Sequence, residues 1–205
     1  CLRVPGGEQW SHRYRFEILP DQGDWLVSRH QPFEGDAASV ITTALRVRGA
    51  WCIRVHLLQI ARAYDMREGG TPVQPMSGRD DETPVAERGA SSIVVRGENG
   101  VAAGWCLHGM LTSGMTDHVN SNLLHRRVWT PVLDGTRDAG THLMATAWWA
   151  DVDATTATPI PPRVEMAGNQ CTLTWPDATR ESILLPPWNG APLTIIAGGG
   201  RVRST

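Results

Sequence analysis

The stretch GAWCIRVHLLQIARAYDMREGG, residues 49–70, decides the fold, because it can form either an amphipathic helix or a long strand. Its first half alternates large apolar residues with a second series: Trp51, Ile53, Val55 and Leu57 against Cys52, Arg54, His56 and Leu58. A period of two indicates a strand. The Gly49-Ala50 pair before it is typical of a hairpin turn. The second half has helical propensity, but we expect it to continue as strand.

The remainder of the chain indicates many short strands. They are predicted within residues 10–17, 25–29, 38–48, 91–97, 101–110, 123–133, 141–152, 163–167, 170–175, 182–188 and 193–197. Loops are predicted at 69–90 and 112–122, and a turn at 134–140. The sequence has no internal repeat and no long helical pattern. Short strands at a spacing of roughly 8–12 residues predict an all-β fold, an antiparallel β-sandwich.

The composition of the chain changes near its last quarter. DATTATPIPP, at residues 153–162, is rich in Thr and Pro and is typical of an extended linker. We therefore predict a main sandwich over 1–152, a linker over 153–162, and short additional strands over 163–205 that complete the sandwich or are appended to it.

The charge and the aromatic content of the chain narrow the range of functions that it can have. The net charge of −2 gives no electrostatic case for a nucleic-acid or membrane partner. All 19 basic residues are Arg. A GC-rich genome is the favoured explanation of this bias, and the alternative is that some Arg bind carboxylates or sulfates, which suit the planar guanidinium. The nine Trp are expected mostly in the core, with one or two available to stack on a ligand such as a sugar.

The cysteines and the start of the chain bear on its location. Cys52, Cys106 and Cys171 lie in apolar runs, and the sequence has no C-x-x-C pair. We therefore expect reduced thiols and a cytoplasmic protein, while three disulfide connectivities stay open. No apolar run is long enough to cross a membrane, and no signal peptide is evident. The first residue, Cys1, is expected to mark a boundary within a longer protein, with an N-terminal nucleophile or a lipidated Cys as alternatives.

Familiar catalytic and cofactor motifs are absent from the sequence. It contains no P-loop, no G-x-G-x-x-G, no H-E-x-x-H and no G-x-S-x-G. The seven His lack the spacing of metal ligands. We therefore expect no cofactor and no metal.

Polar residues embedded in apolar strands are the remaining candidates. Arg54 and His56 share a strand face, and a charged Arg there needs a partner or solvent. Glu68 precedes the glycines at 69–70, and His118, Asn120 and Asn122 again have a period of two. These residues either face solvent and tie loops together, or border a cleft shared with another domain.

Four segments carry a resemblance to a known family. FEGDAAS (33–39), GAWCIRVHLL (49–58), MREGG (66–70) and NSNLLHRRVWTPVL (120–133) together resemble the C-terminal β-sandwich of a bacterial family of unknown function. Members of that family pair the sandwich with an N-terminal (α/α) toroid, as heparinase-type polysaccharide lyases and toroidal glycoside hydrolases do. The resemblance covers about residues 28–150 and implies a sandwich of the polysaccharide-lyase or galactose-mutarotase supersandwich type.

The family pattern on the strand is Trp-His-x-Arg-x-His followed by Glu-Gly-Gly. Here it corresponds to Trp51, Cys52, Arg54 and His56, with Glu68 before the two glycines. Cys52 departs from the family's His. Asn122 matches the Asn of the family's N-T-N-L segment, with Ser121 in place of Thr. In related enzymes the sandwich closes one side of the cleft and sometimes contributes a His.

The resemblance therefore implies the C-terminal accessory domain of a carbohydrate-active enzyme, a glycoside hydrolase or a polysaccharide lyase, that packs on a toroid and lines its substrate cleft. His56 is the predicted catalytic proton carrier or hydrogen-bond donor. Arg54, Glu68, His118 and Asn122 are the predicted contacts to substrate, an acidic oligosaccharide. Without the toroid, the active site is expected to be incomplete.

Three alternatives stay open. A carbohydrate-binding module would present a flat row of exposed indoles, drawn from Trp105, Trp129, Trp148 and Trp149. A purely structural domain would satisfy Arg54 and His56 internally and leave an apolar patch where the toroid was removed. An amidohydrolase would use Cys1 as its nucleophile.

Overall fold

The described part of the chain contains only β-structure among its regular elements. The computed structural model describes residues 2–3, 16–20, 22–31, 37–74, 84–120, 126–152, 157–193, 196–197 and 201–202. Its strands are β1 (Leu2–Arg3), β2 (Phe16–Ile18), β3 (Leu26–His30), β4 (Val40–Arg48), β5 (Trp51–Ile60), β6 (Tyr64–Gly69), β7 (Val85–Arg88), β8 (Ser92–Gly97), β9 (Gly100–His108), β10 (Thr112–Asn120), β11 (Arg126–Arg137), β12 (Gly140–Asp151), β13 (Arg163–Ala167), β14 (Gln170–Thr174), β15 (Arg180–Leu184), β16 (Ile196–Ala197) and β17 (Arg201–Val202). In this part of the chain, no helix is long and apolar enough to span a membrane.

A central antiparallel sheet of eight strands organises the molecule, in the order β2-β3-β4-β5-β12-β9-β8-β7. The first half of residues 49–70 is strand β5, as predicted, and it pairs with β4 across the turn at Gly49, whose φ of 56° is left-handed. The prediction for the second half was only partly right. Strand β5 ends at Ile60, and the next amide, that of Ala61, donates to the Ser39 hydroxyl instead of a neighbouring strand. After this break the chain enters another sheet as β6.

Two smaller sheets cover the two faces of the central sheet. The sheet β1-β6-β11-β10 packs on one face, and the sheet β13-β14-β15 packs on the other. The alternation of β5 explains both contacts. Ile53, Val55 and Leu57 enter the core with Leu173 and Ile183 of the three-stranded sheet, among others. Leu58 enters the core on the opposite face with Tyr64, Met66 and Leu133. The architecture is therefore an antiparallel β-sandwich with a third layer, which confirms the predicted fold class.

Three predicted loops or turns contain more strand than expected. Residues 112–122 were predicted as a loop, but Thr112–Asn120 is β10 and pairs with β11 throughout. It is an edge strand, so hydrogen bonds from one neighbour hold it without an apolar pattern. Within 69–90, residues 85–88 form β7, an edge strand of the central sheet. The turn predicted at 134–140 is shorter, because β11 continues to Arg137.

Several predictions fall partly outside the described residues. Residues 10–15 of the first predicted strand and 75–83 of the predicted loop lie there, as do 121–125 and 153–156. Residues 157–162 have no regular structure, and the three strands predicted over 163–188 are present as β13, β14 and β15. The division into a main sandwich, a linker and appended strands stays a prediction.

Candidate functional site

Polar side chains cluster between the central and the four-stranded sheets. Register places Thr43 of β4 beside His56 of β5, and Arg54 of β5 beside Thr146 of β12. All four project from the same face of the central sheet, because residues paired across antiparallel strands point to the same side. From the opposing sheet, β6 directs Glu68 into the same space.

Glu68 and His56 form a buried, closely contacting pair at the centre of this cluster. The Nε2 atom of His56 contacts Oε1 of Glu68, and the Thr146 hydroxyl donates to Oε2. On the other side of the ring, Nδ1 of His56 lies 2.9 Å from the Thr43 hydroxyl oxygen. His56 is 8% exposed, Glu68 7% and Thr146 0%. Protein atoms thus engage both ring nitrogens and both carboxylate oxygens.

Arg54 joins the cluster from its more open side. Its side chain is partly buried, and Nη1 donates to the backbone oxygen of Gly69 over 3.1 Å. Its positive charge acts on Glu68. The guanidinium has five N–H donors, so it can hold the β6 backbone and still present donors towards a ligand.

The electrostatics keep Glu68 ionised. Burial is the largest single effect and raises the pKa of Glu68. The charge of His56, hydrogen bonds from His56 and Thr146, and the charge of Arg54 together outweigh it and lower the pKa to about 2. On the same face, burial, helped by the positive charge of His56, lowers the pKa of His30 to about 4. Near neutral pH, Glu68 is therefore an acceptor and His30 is uncharged.

The structure brings together three of the five predicted site residues. Arg54, His56 and Glu68 meet as described. His118 lies on β10, which β11 separates from β6 in the sheet, so its backbone is two strands away from that of Glu68. Its side chain and the whole of Asn122 lie outside the described residues. Roles in catalysis and substrate binding stay predictions for all five.

Sequence reasoning missed His30, Thr43 and Thr146. Thr43 shares a face with Ile41 and Leu45 of β4, and Thr146 interrupts a run of small and apolar residues. A hydroxyl at an inward position of a strand needs a hydrogen-bond partner, and that need was the available signal. The partner of Thr146 comes from a residue 78 positions away, which the pattern alone does not identify.

The four indoles proposed as a sugar platform do not form an exposed row. Trp148 and Trp149 are 3% and 6% exposed, and Trp105 and Trp129 are partly buried. Trp148 packs where Gly70 and Gly104 leave space, since a Cβ on either glycine would overlap its ring. Gly70, the last residue of the stretch 49–70, therefore leaves room for the ring of Trp148.

An apolar surface adjoins the polar cluster. On the wing of the central sheet, defined here as strands β2, β3 and β4, three side chains share the face of His56. Ile18 is 56% exposed, Leu26 45% and Val47 59%. The described residues therefore leave this part of the face uncovered.

The cluster can bind an anion through Arg54 and can cross-link two sheets. The described residues include no group of three or more His, Cys, Asp or Glu that could hold a metal ion. Cys52, Cys106 and Cys171 are free thiols. The amidohydrolase alternative concerns Cys1, which lies outside the described residues.

Comparison with known proteins gives a fold and no family. No protein-family model matches the chain, and no curated protein matches its sequence. The fold is similar to that of a mutant of the heparan sulfate lyase HepC from Pedobacter heparinus, with a TM-score of 0.59 and 9% identity. The match covers 90% of this chain and 30% of that lyase, so the chain spans under a third of the lyase's length. The chain thus has a polysaccharide-lyase-like fold.

Proposed function

We propose that this chain is the β-sandwich accessory domain of a larger carbohydrate-active enzyme, a polysaccharide lyase or a glycoside hydrolase. One observation carries the proposal: the likeness to the heparan sulfate lyase extends through 90% of this chain while leaving most of the lyase unmatched. The family resemblance indicates what the rest of the enzyme is, because members of that family join this kind of sandwich to a toroid. The catalytic domain would be an (α/α) toroid that packs on the sandwich.

The exposed wing supports this partner. Ile18, Leu26 and Val47 form an apolar surface on the face that also carries Arg54. Contiguous exposed apolar surface marks interaction sites in soluble proteins. A toroid seated there would place its cleft next to the polar cluster, as the proposed role requires.

Within this role, Arg54 binds the carboxylate or sulfate of an acidic oligosaccharide. His56 and Glu68 hold β5 and β6 together, so that Arg54 is fixed at the cleft rim. Because protein atoms engage both nitrogens of His56, the geometry favours a positioning role for His56 over that of a freely exchanging proton carrier.

The full-length protein, including the toroid, tests the proposal. Acidic polysaccharides are assayed for unsaturated products, which a lyase makes, and for new reducing ends without unsaturation, which a hydrolase makes. We expect Arg54→Gln to raise KM about tenfold, the loss of roughly one charge-assisted hydrogen bond. The matched control is Arg67→Gln, because Arg67 is an exposed Arg of the four-stranded sheet paired with Asp134.

The purely structural domain is the second candidate. It is favoured by the internal partners of Arg54, His56 and Glu68. It predicts that Arg54→Gln and Arg67→Gln leave turnover equally unchanged while Arg54→Gln lowers the melting temperature. That outcome would remove Arg54 from the substrate site.

A further inference from the structure

A second groove lies on the opposite side of the central sheet from His56. It has a volume of about 490 Å³ and runs between β9 and the start of the three-stranded sheet. Trp105 pairs with Ala147, whose side chain belongs to the core facing that sheet. Its lining includes Ser91, Ser92, Trp105, Pro161, Pro162 and Arg163, together with the acidic residue Glu165.

Trp105 is a fixed, partly open indole within this groove. Its ring centroid lies 5.5 Å from that of Trp51 at an interplanar angle of 38°, and its inner side packs on the core. Among the described residues, the buried indole N–H groups without a partner are those of Trp25, Trp129 and Trp148, and that of Trp105 is not one of them. No described residue accepts a hydrogen bond from it. An indole held in this way loses little conformational entropy when a ligand binds.

Arg163 supplies a positive charge to the lining of the same groove. It is exposed, and its guanidinium forms no ion pair or hydrogen bond with any described residue. The neighbouring carboxylate of Glu165 lies 3.5 Å from Arg180 instead. Ser91, Ser92 and Glu165 line the same groove. An aromatic residue, an Arg and two serines therefore line one groove, together with two prolines and Glu165.

We propose that this groove binds an acidic sugar residue, with Arg163 on its carboxylate, the serine hydroxyls on its ring hydroxyls and the indole of Trp105 against its apolar side. The fork geometry of Arg matches a carboxylate, and a few polar groups in a partly apolar groove are typical of ligand sites. The proposal deepens the proposed function, because the ligand is the same class of polymer. It gives that polymer a second contact with the chain, on the face of the central sheet opposite the proposed substrate cleft.

The test is binding to this chain alone, with no enzymatic readout, so its failure is distinct from failure of the proposed activity. The probes are a tetragalacturonate, its methyl ester, which removes the charge and keeps the rings, and a heparin-derived tetrasaccharide, which adds sulfate. Titrations follow the indole N–H resonances, and Trp105→Phe assigns the peak of Trp105. We expect this peak to shift saturably with tetragalacturonate, with a Kd of about 1 mM, and the ester to bind more weakly. Tighter binding of the heparin fragment would identify sulfate as the preferred anion and would overturn the carboxylate assignment.

Arg163→Gln is expected to weaken binding about fivefold, the effect of losing one solvent-screened charge contact. Its matched control is Arg67→Gln, with the same change of charge on the four-stranded sheet across the molecule. Since Arg163 is exposed, its variant should fold, which the dispersion of the indole resonances verifies. An unshifted Trp105 peak, or equal binding by wild type and Arg163→Gln, would overturn the proposal.

Discussion

At the scale of single residues, the pair of Glu68 and His56 links two sheets through buried polar atoms. Breaking a buried pair from one side leaves the remaining group without its partner. We expect Glu68→Gln to lower the free energy of unfolding by about 2–3 kcal/mol, measured by urea denaturation. The control is Asp134→Asn, whose pair with Arg67 is exposed and should contribute about 0–1 kcal/mol. Equal effects of the two variants would show that the buried pair adds nothing beyond a surface pair.

The same carboxylate makes stability depend on pH in a defined window. Its pKa is lowered in the folded chain, from 4.5 to about 2. The folded state therefore binds fewer protons than the unfolded state between these values, and its stabilisation is lost as pH falls. The stability difference between wild type and Glu68→Gln should therefore shrink as pH falls from 4.5 towards 2. Denaturation of both proteins across this range measures it, and a difference that grows as pH falls would contradict the assignment.

Sequence reasoning recovered half of the candidate site for a physical reason. Arg54 and His56 are two apart on a strand, so their shared face follows from local geometry. Thr146 lies beside them because β5 pairs with β12, and Glu68 meets them because two sheets pack on each other. Such contacts are set by burial and register over the whole chain, which a local pattern does not encode.

At the scale of elements, alternation identified the buried strands and missed the edges. Strands β4, β5 and β12 carry strong apolar patterns because neighbours cover them. Among the described strands, β10 has a neighbour on one side only, and the local composition of Thr112–Asn120 is that of a loop. Its strand state depends on hydrogen bonds with β11, and such non-local pairing commonly overrides propensity.

The end of β6 offers an element-scale prediction. A Cβ at Gly70 would overlap the ring of Trp148, whereas a Cβ at Gly69 would lie 3.1 Å from a methyl group of Thr130. Gly70→Ala should therefore lower stability by about 1–3 kcal/mol through overpacking, and Gly69→Ala by clearly less. Thermal unfolding of the two variants compares adjacent positions with identical chemistry. A smaller loss for Gly70→Ala than for Gly69→Ala would mean that Trp148 moves without cost.

At the scale of the whole molecule, the three-stranded sheet shares its core with the central sheet. Leu173, Ile183 and Leu185 are fully or almost fully buried against β5 and β12. Arg46 of β4 reinforces the contact, because its guanidinium lies 2.8 Å from the carboxylate of Glu181 on β15. A shared core of this kind should unfold with the central sheet in one cooperative transition, even though the sequence suggests a linker before it.

Two leucines of the same small sheet test this cooperativity. Leu173 is 0% exposed and Leu184 is 56% exposed, so Leu173→Ala removes packed core atoms and Leu184→Ala removes surface atoms. We expect Leu173→Ala to lower the free energy of unfolding by about 2–5 kcal/mol and Leu184→Ala to change it by about 0.5 kcal/mol or less. Tryptophan fluorescence and far-UV circular dichroism should report the same midpoint for Leu173→Ala, because Trp175 of the small sheet and Trp51 of the central sheet pack on each other. Two separated transitions would instead show that residues 163–185 unfold as an independent unit. The shared core would then stabilise both sheets without making their unfolding cooperative.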